Sequence, residues 1–197
     1  MNENNEHRYD YELIERLIFP KSSVLDLGCG KGELLWYLIQ KKEINGSGIE
    51  ISSQGVQEAI KKGLSVIQAD IEETISNYPD KTFDYTILSQ TMQELKRPEK
   101  VINAMVRISK RAIITFYNLA HLKFRLKILF KGQFPSSKEL PFNWLSANIM
   151  FLSVADFKEF CRQNNYKIIS EQCYSDNKII HIMPNLRAKV CIFEIEQ

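Results

Sequence analysis

The sequence predicts an α/β protein: a mostly parallel sheet with helices on both faces, closed by a C-terminal antiparallel hairpin, with a cap inserted after the fifth strand. Three observations predict it. Short apolar runs alternate with helix-like segments up to Asn118, the pattern of βαβ units. The first strand passes into a helix through "VLDLGCGKGELL" (24–35), which holds Asp26, Cys29 and the glycines Gly28, Gly30 and Gly32. After Asn118 the rhythm breaks into a long aromatic and basic stretch.

Each element has its own signal. "SVLDLG" (23–28) reads as a buried strand and "ELLWYLIQKK" (33–42) as a helix. "GSGIEI" (46–51) is strand-like, and "SSQGVQEAIKKG" (52–63) starts on serine caps and ends at Gly63. "LSVIQAD" (64–70) is the third strand, followed by a short helix that Pro79 stops. "FDYTILS" (83–89) is the fourth strand. A helix over 97–109 carries Pro98 in its first turn, where proline is tolerated. "RAIITFYN" (111–118) is the fifth strand. The 119–153 stretch has prolines at 135 and 141 and is too long and apolar for a plain loop, so it is expected to cover something. Its start alternates like a strand at Leu122, Phe124, Leu126 and Ile128. Leu122, Leu126, Leu129 and Phe130 also share a helical face, and helix is favoured because the run reaches Gly132 without a turn signal. Ser153 and Asp156 open a capped helix over 153–166. "KIISEQCYS" and "AKVCIFEI" then read as two strands forming a hairpin at the sheet edge.

Composition narrows the class. A 197-residue chain fits one domain, 1–197. Its 44% apolar and 25% charged content is that of a soluble globular protein. A net charge of +2 does not by itself call for a polyanion. The cysteines at 29, 161, 173 and 191 form no C-x-x-C pair, which speaks against a zinc cluster or disulfide framework and for a reducing cytoplasm. The polar, acidic start differs from a secretory signal, and no run approaches the roughly 18 apolar residues of a membrane span.

In a parallel sheet, ligands sit beyond the strand carboxyl ends where strand order reverses, and the first βα turn belongs to that site. Dinucleotides call for G-x-G-x-x-G, but Glu33 stands where the third glycine should be. The phosphate loop G-x-x-x-x-G-K-[ST] is also absent. An acidic turn would repel pyrophosphate, so NAD and ATP are disfavoured. Cys29 reads as a small turn residue rather than a reactive thiol, because Glu33 opposes the positive field a thiolate needs.

Asp26, Gly28, Gly30 and Gly32 instead match D-x-G-x-G-x-G, and the segment resembles motif I of class I S-adenosylmethionine-dependent methyltransferases. The resemblance implies a Rossmann-like fold and S-adenosylmethionine as cofactor. Glu50 at the end of the second strand would hold the ribose hydroxyls, and Asp70 at the end of the third the adenine amine. Ser89 and Gln90, in "FDYTILSQTMQEL", would border the methionine moiety. The implied site comprises Asp26, Gly28, Cys29, Gly30, Gly32, Glu50, Ile51, Ala69, Asp70, Ile71, Ser89 and Gln90. This ligand carries a sulfonium and an ammonium but no phosphate, which suits carboxylates.

From "VLDLGCGKGELL" through "LSQTMQEL" to "GQFPSSKELPFNWLSANI", the chain further resembles the MetW family of methionine biosynthesis, over roughly residues 20 to 195. That resemblance implies association with homoserine O-acyltransferase in the acylation of homoserine. The alternative is a small-molecule methyltransferase of unknown acceptor. Where the family continues N-I-H-L-C-T, this chain has Asn148-Ile149-Met150-Phe151-Leu152-Ser153, so no histidine is carried over. Ser89, Gln90, Tyr117, Asn118 and His121 could face an acceptor, but none forms an acid–base pair and no catalytic residue is assigned. Lys123, Arg125, Lys127 and Lys131 are interleaved with apolar residues, which disfavours nucleic acid. Phe130, Phe134, Phe142, Trp144 and Phe151 make the 119–153 cap either a lid or a partner surface.

Overall fold

The computed structural model describes residues 9–134 and 151–197. Pro135, Pro141, Phe142, Trp144 and the stretch up to Met150 lie outside them, so the reading of 119–153 as one cap can be followed only at its two ends. Helix α1 (Tyr9–Leu17) leads into β1 (Ser23–Leu27), α2 (Glu33–Lys42), β2 (Asn45–Glu50), α3 (Ser53–Lys61) and β3 (Ser65–Gln68). A short α4 (Ile71–Thr74) precedes β4 (Phe83–Ser89), α5 (Pro98–Ile108) and β5 (Ser109–Tyr117). Then follow α6 (Leu122–Lys131), α7 (Val154–Gln163), β6 (Lys167–Ser175), β7 (Lys178–Ile179), α8 (Pro184–Arg187) and β8 (Val190–Glu196).

The strands form one sheet in the order β3-β2-β1-β4-β5-β8-β6-β7. The pairs from β3 to β5 are parallel, and those among β5, β8, β6 and β7 are antiparallel. From β1 the chain winds outward to β3, then returns to lay β4 on the other side of β1. Strand order therefore reverses between β1 and β4, and their carboxyl ends open the crevice where such sheets bind ligands.

Alternation along the strands builds two cores. Leu25, Leu27, Leu88, Ile114, Phe116 and Phe193 face α5 and α7, whereas Val24, Tyr85, Ile87, Ile113 and Ile192 face α1 and α2. Phe157 of α7 lies 4.8 Å from Phe193 and 5.2 Å from Phe116 between ring centroids, which anchors that helix on β8 and β5. The Ser153–Asp156 capping box starts α7 as the sequence predicts.

Two differences from expectation have physical causes. The last two strands do pair, but β8 is interior, between β5 and β6, and the edge belongs to the β6–β7 hairpin. Val190 to Ile195 are all buried, the continuous run of a strand covered on both faces rather than an edge. Its one buried carboxylate, Glu194, accepts from Arg111 Nη1 at 2.8 Å. The second difference is α1, in a segment read only for targeting signals, where Leu13, Ile14 and Ile18 are buried against the sheet at helical spacing. Among the described residues no helix is long and apolar enough to cross a membrane, and no group of His, Cys, Asp and Glu could hold a metal ion.

Candidate functional site

The β1–α2 corner is fixed by its neighbour strand. The N–H groups of Gly28 and Cys29 both donate to Ile49 O, at 2.8 and 3.1 Å, which ties the turn to the end of β2. Gly28, Gly30 and Gly32 all have positive φ. At Gly28 this coincides with close approach: a Cβ would fall 2.6 Å from Thr91 Cγ2 and 2.7 Å from Thr91 Oγ1. At Gly30 a Cβ would meet nothing within 4 Å, because the residue borders open space. Both reasons for glycine, a left-handed backbone and room for a close neighbour, thus apply along one corner.

Glu50 is the hinge of the site. It is 9% exposed, and its two oxygens are taken up separately: Gly30 N–H donates to Oε2 at 2.9 Å and Ser52 N–H to Oε1 at 2.7 Å. The carboxylate is held rigid at the mouth of the crevice. Asp70 caps α4 through Glu72 N–H to Oδ1 at 2.8 Å. Around them lies a cleft of about 410 Å³, a size that suits a small-molecule ligand, lined by Gly28, Gly30, Glu50, Ile51, Asp70, Ile71, Glu72, Thr91, Glu94, Leu95 and Lys96. Four carboxylates and one lysine in that lining set a field that favours cationic ligands over polyphosphates.

Six of the twelve sequence-derived positions line the cleft: Gly28, Gly30, Glu50, Ile51, Asp70 and Ile71. The other six are not part of its lining. Asp26 is buried at the end of β1, and Gly32 begins α2. Ala69 N–H donates to Glu50 O at 3.0 Å. Cys29 is buried, and its Sγ fills the space that a side chain at Gly48 would take. Burial, then the Asp26 and Glu50 carboxylates, push its thiol far above the ordinary range, so it is no thiolate.

Ser89 accepts a long 3.5 Å bond from Thr115 Oγ1. Gln90 turns away from the cleft. Its backbone is left-handed (φ 58), its Nε2 donates to Asp10 Oδ2 at 2.9 Å, and its Oε1 accepts from Tyr117 OH at 2.9 Å. Gln93 is buried and donates to Tyr117 O at 3.1 Å. The stretch "QTMQ" therefore joins α1, β4 and β5.

Other strand-end residues are equally engaged. Asn118 Nδ2 donates to Ala188 O at 2.8 Å and Asn185 O at 3.1 Å. His121 caps α6, its Nδ1 accepting from Lys123 N–H at 3.1 Å. Burial, and then Lys189, lower its pKa, so the neutral ring needed for that cap is favoured.

Thr91, Glu72, Glu94, Leu95 and Lys96 were not foreseen from sequence. Thr91, Glu94, Leu95 and Lys96 reach the cleft because the chain after β4 folds back through a 3₁₀ turn (Met92–Glu94) onto Gly28, whereas Glu72 enters it from α4. Glu72 alone had a local signal, standing two residues after Asp70 in the first turn of α4.

The fold is shared with solved structures at low identity. A TehB-like S-adenosylmethionine-dependent methyltransferase from Corynebacterium glutamicum superposes with a TM-score of 0.67 at 15% identity, over 98% of this chain and 90% of that one. The [4+2]-cyclase SpnF superposes with a TM-score of 0.70 at 16% identity, over 95% and 80%. The architecture is thus the Rossmann-like class I methyltransferase fold, which hosts more than one chemistry. In sequence, the bifunctional methionine biosynthesis protein MetXA/MetW of Rhodopirellula baltica is 31% identical over 177 residues. The match takes in 85% of this chain but only 28% of that relative. The family model of methionine biosynthesis protein MetW matches residues 8–195; with the glycine corner and the sheet order it occupies, the chain belongs to the MetW family.

Proposed function

We propose that the chain binds S-adenosylmethionine in the glycine-corner cleft and acts in the cytoplasm with homoserine O-acyltransferase in the acylation of homoserine. The observation that carries the ligand is the Glu50 clamp beside the open face of Gly30. An ionised carboxylate has about four lone-pair positions. Two are occupied by backbone N–H groups, which leaves two for the adjacent hydroxyls of a ribose. Asp70 Oδ1 is engaged by its cap, which leaves Oδ2 to accept from an exocyclic amine. Gly28 and Gly30 let the ligand approach the backbone, and the acidic lining suits a cationic ligand. Bound there, S-adenosylmethionine supplies a methyl group activated by its sulfonium.

Support for the partner comes from the Rhodopirellula relative, whose name joins a MetXA to a MetW part in one chain. The free, buried cysteines suit a reducing cytoplasm. Methyl transfer to a small molecule, the alternative, wants an aligned acceptor and often a base. Gln90, Tyr117, Asn118 and His121 are instead spent on structural hydrogen bonds. The test is calorimetric titration of the full chain with S-adenosylmethionine and its demethylated product, followed by acyltransferase assay with the chain and ligand each present or withheld. Heat on titration and an acyltransferase rate that depends on the chain are expected. Absence of heat removes the ligand, and separate migration of the two proteins at micromolar concentration removes the partner.

A further inference from the structure

We infer that the exposed face of α6 is the surface on which the acyltransferase docks; this rests on the partner reading above and adds where the contact is made. Helix α6 buries one residue, Phe124. Leu129 and Phe130 are 73% and 77% exposed, and Leu122, Leu126 and Ile128 are each about two-fifths exposed. A shallow groove of about 530 Å³ runs between Lys123, Leu126, Lys127, Phe130, Lys131 and Gln133. From Leu119 to Phe134 the chain has four cations and no carboxylate. Large apolar side chains clustered on an open surface mark interaction sites.

Charge and geometry select the occupant. A helix that lies on lipid separates a basic face from an apolar one. Here Lys127 and Lys131 line the same groove as Leu126 and Phe130, so the two kinds of group share one face. That mixture, an aromatic anchor ringed by cations, fits a protein surface with an apolar pocket rimmed by Asp and Glu. Joining MetXA and MetW parts in one chain, as in the Rhodopirellula relative, would keep such a contact at high effective concentration. Arg125 is a poor candidate for the contact, because its Nε is turned back onto Ala120 O.

The test uses the full chain and the purified homoserine acyltransferase of the same cell. Wild type, Phe130→Asp and Lys131→Glu are titrated onto the enzyme at low and high salt. Circular dichroism and the heat of S-adenosylmethionine binding serve as fold controls, since both side chains lie outside the core and the cleft. Phe130→Asp is expected to weaken association by roughly tenfold or more, and Lys131→Glu to weaken it and flatten its salt dependence. If both variants bind within about twofold of wild type, the docking surface lies elsewhere and this inference is overturned while the partner stands. If wild type itself does not bind, the partner reading falls and takes this inference with it. Sedimentation and anionic-vesicle binding complete the experiment. A dimer or a vesicle contact abolished by Phe130→Asp, with acyltransferase affinity unchanged, would assign the face to a second copy or to lipid and overturn the proposal.

Discussion

Glu50→Gln separates the two roles that one carboxylate performs. In the wild type each oxygen accepts a backbone N–H, Gly30 at 2.9 Å and Ser52 at 2.7 Å. Glutamine keeps the shape, but its Nε2 donates and so opposes whichever N–H it faces. One charge-assisted bond is lost at a nearly buried position, a cost of about 1.5–3 kcal/mol. For a chain of this length each kcal/mol moves the melting temperature by about 2–4 °C, so the variant should melt roughly 3–12 °C lower. On the ligand side one ribose hydroxyl loses its acceptor and the other keeps only a neutral one. The loss is about 2–4 kcal/mol, or roughly 30- to 1000-fold in Kd.

The two effects have separate readouts. Scanning fluorimetry without ligand reports the strut, and calorimetry below the variant's melting range reports the grip. A lowered melting temperature with an affinity for S-adenosylmethionine within about threefold of wild type would refute the reasoning. Glu50 would then brace the corner and nothing more.

Gly30→Ala should abolish or weaken ligand heat by more than tenfold while circular dichroism is retained, since the added methyl enters open space at the cleft; unchanged heat counts against the site. Gly28→Ala should cost about 2–4 kcal/mol, from left-handed strain and from overlap with Thr91. In a Thr91→Ala background the overlap part should vanish, and additive urea midpoints would disprove that the two side chains collide. Asp84 accepts from Lys110 Nζ and Ser23 N–H, both at 2.8 Å, and these partners, Lys110 first, hold its pKa below the ordinary 3.8. A depressed folded pKa stabilises the native state above the unfolded value and ceases to do so as pH falls through the folded one. Asp84→Asn should therefore cost about 1 kcal/mol at neutral pH and almost nothing in strong acid. A gap in urea stability that is independent of pH would show that the ionised form does not matter.

Local chemistry decided which elements were legible in the sequence. Helix α2 and strand β4 match their sequence bounds because Gly32, Pro79 and the polar turns flanking them stop the chain where the periodicity stops. The ambiguous run at 122–131 is helical, and Gly132 ends it in the left-handed conformation (φ 61). Strand order was legible only as far as βαβ logic extends. That β8 lies inside the sheet is a non-local fact, although its unbroken buried run was a clue to it. Six of the eleven residues lining the cleft could be read because motif residues at strand ends are set by the strand itself. Thr91, Glu94 and Lys96 reach the cleft only through the fold-back after β4, which no spacing rule encodes.

The stretch "LSQTMQ" therefore has a different physical meaning from the glycine motif. Gly28 and Gly30 are defined by what they leave empty, Gln90 and Gln93 by what they bind. Gln90 holds a left-handed backbone, a conformation that costs a non-glycine residue about 1–2 kcal/mol. Its backbone N–H on Thr115 Oγ1 at 2.8 Å and its side-chain bonds to Asp10 and Tyr117 offset that cost. In that conformation the chain turns so that Thr91 packs on Gly28 while Gln93 secures the end of β5. The wall of the cleft, the buried start of α1 and the strand that leads into α6 are thus joined through four consecutive residues. The glutamines are conformational supports, and that role accounts for their presence without assigning either of them a place in methyl-transfer chemistry.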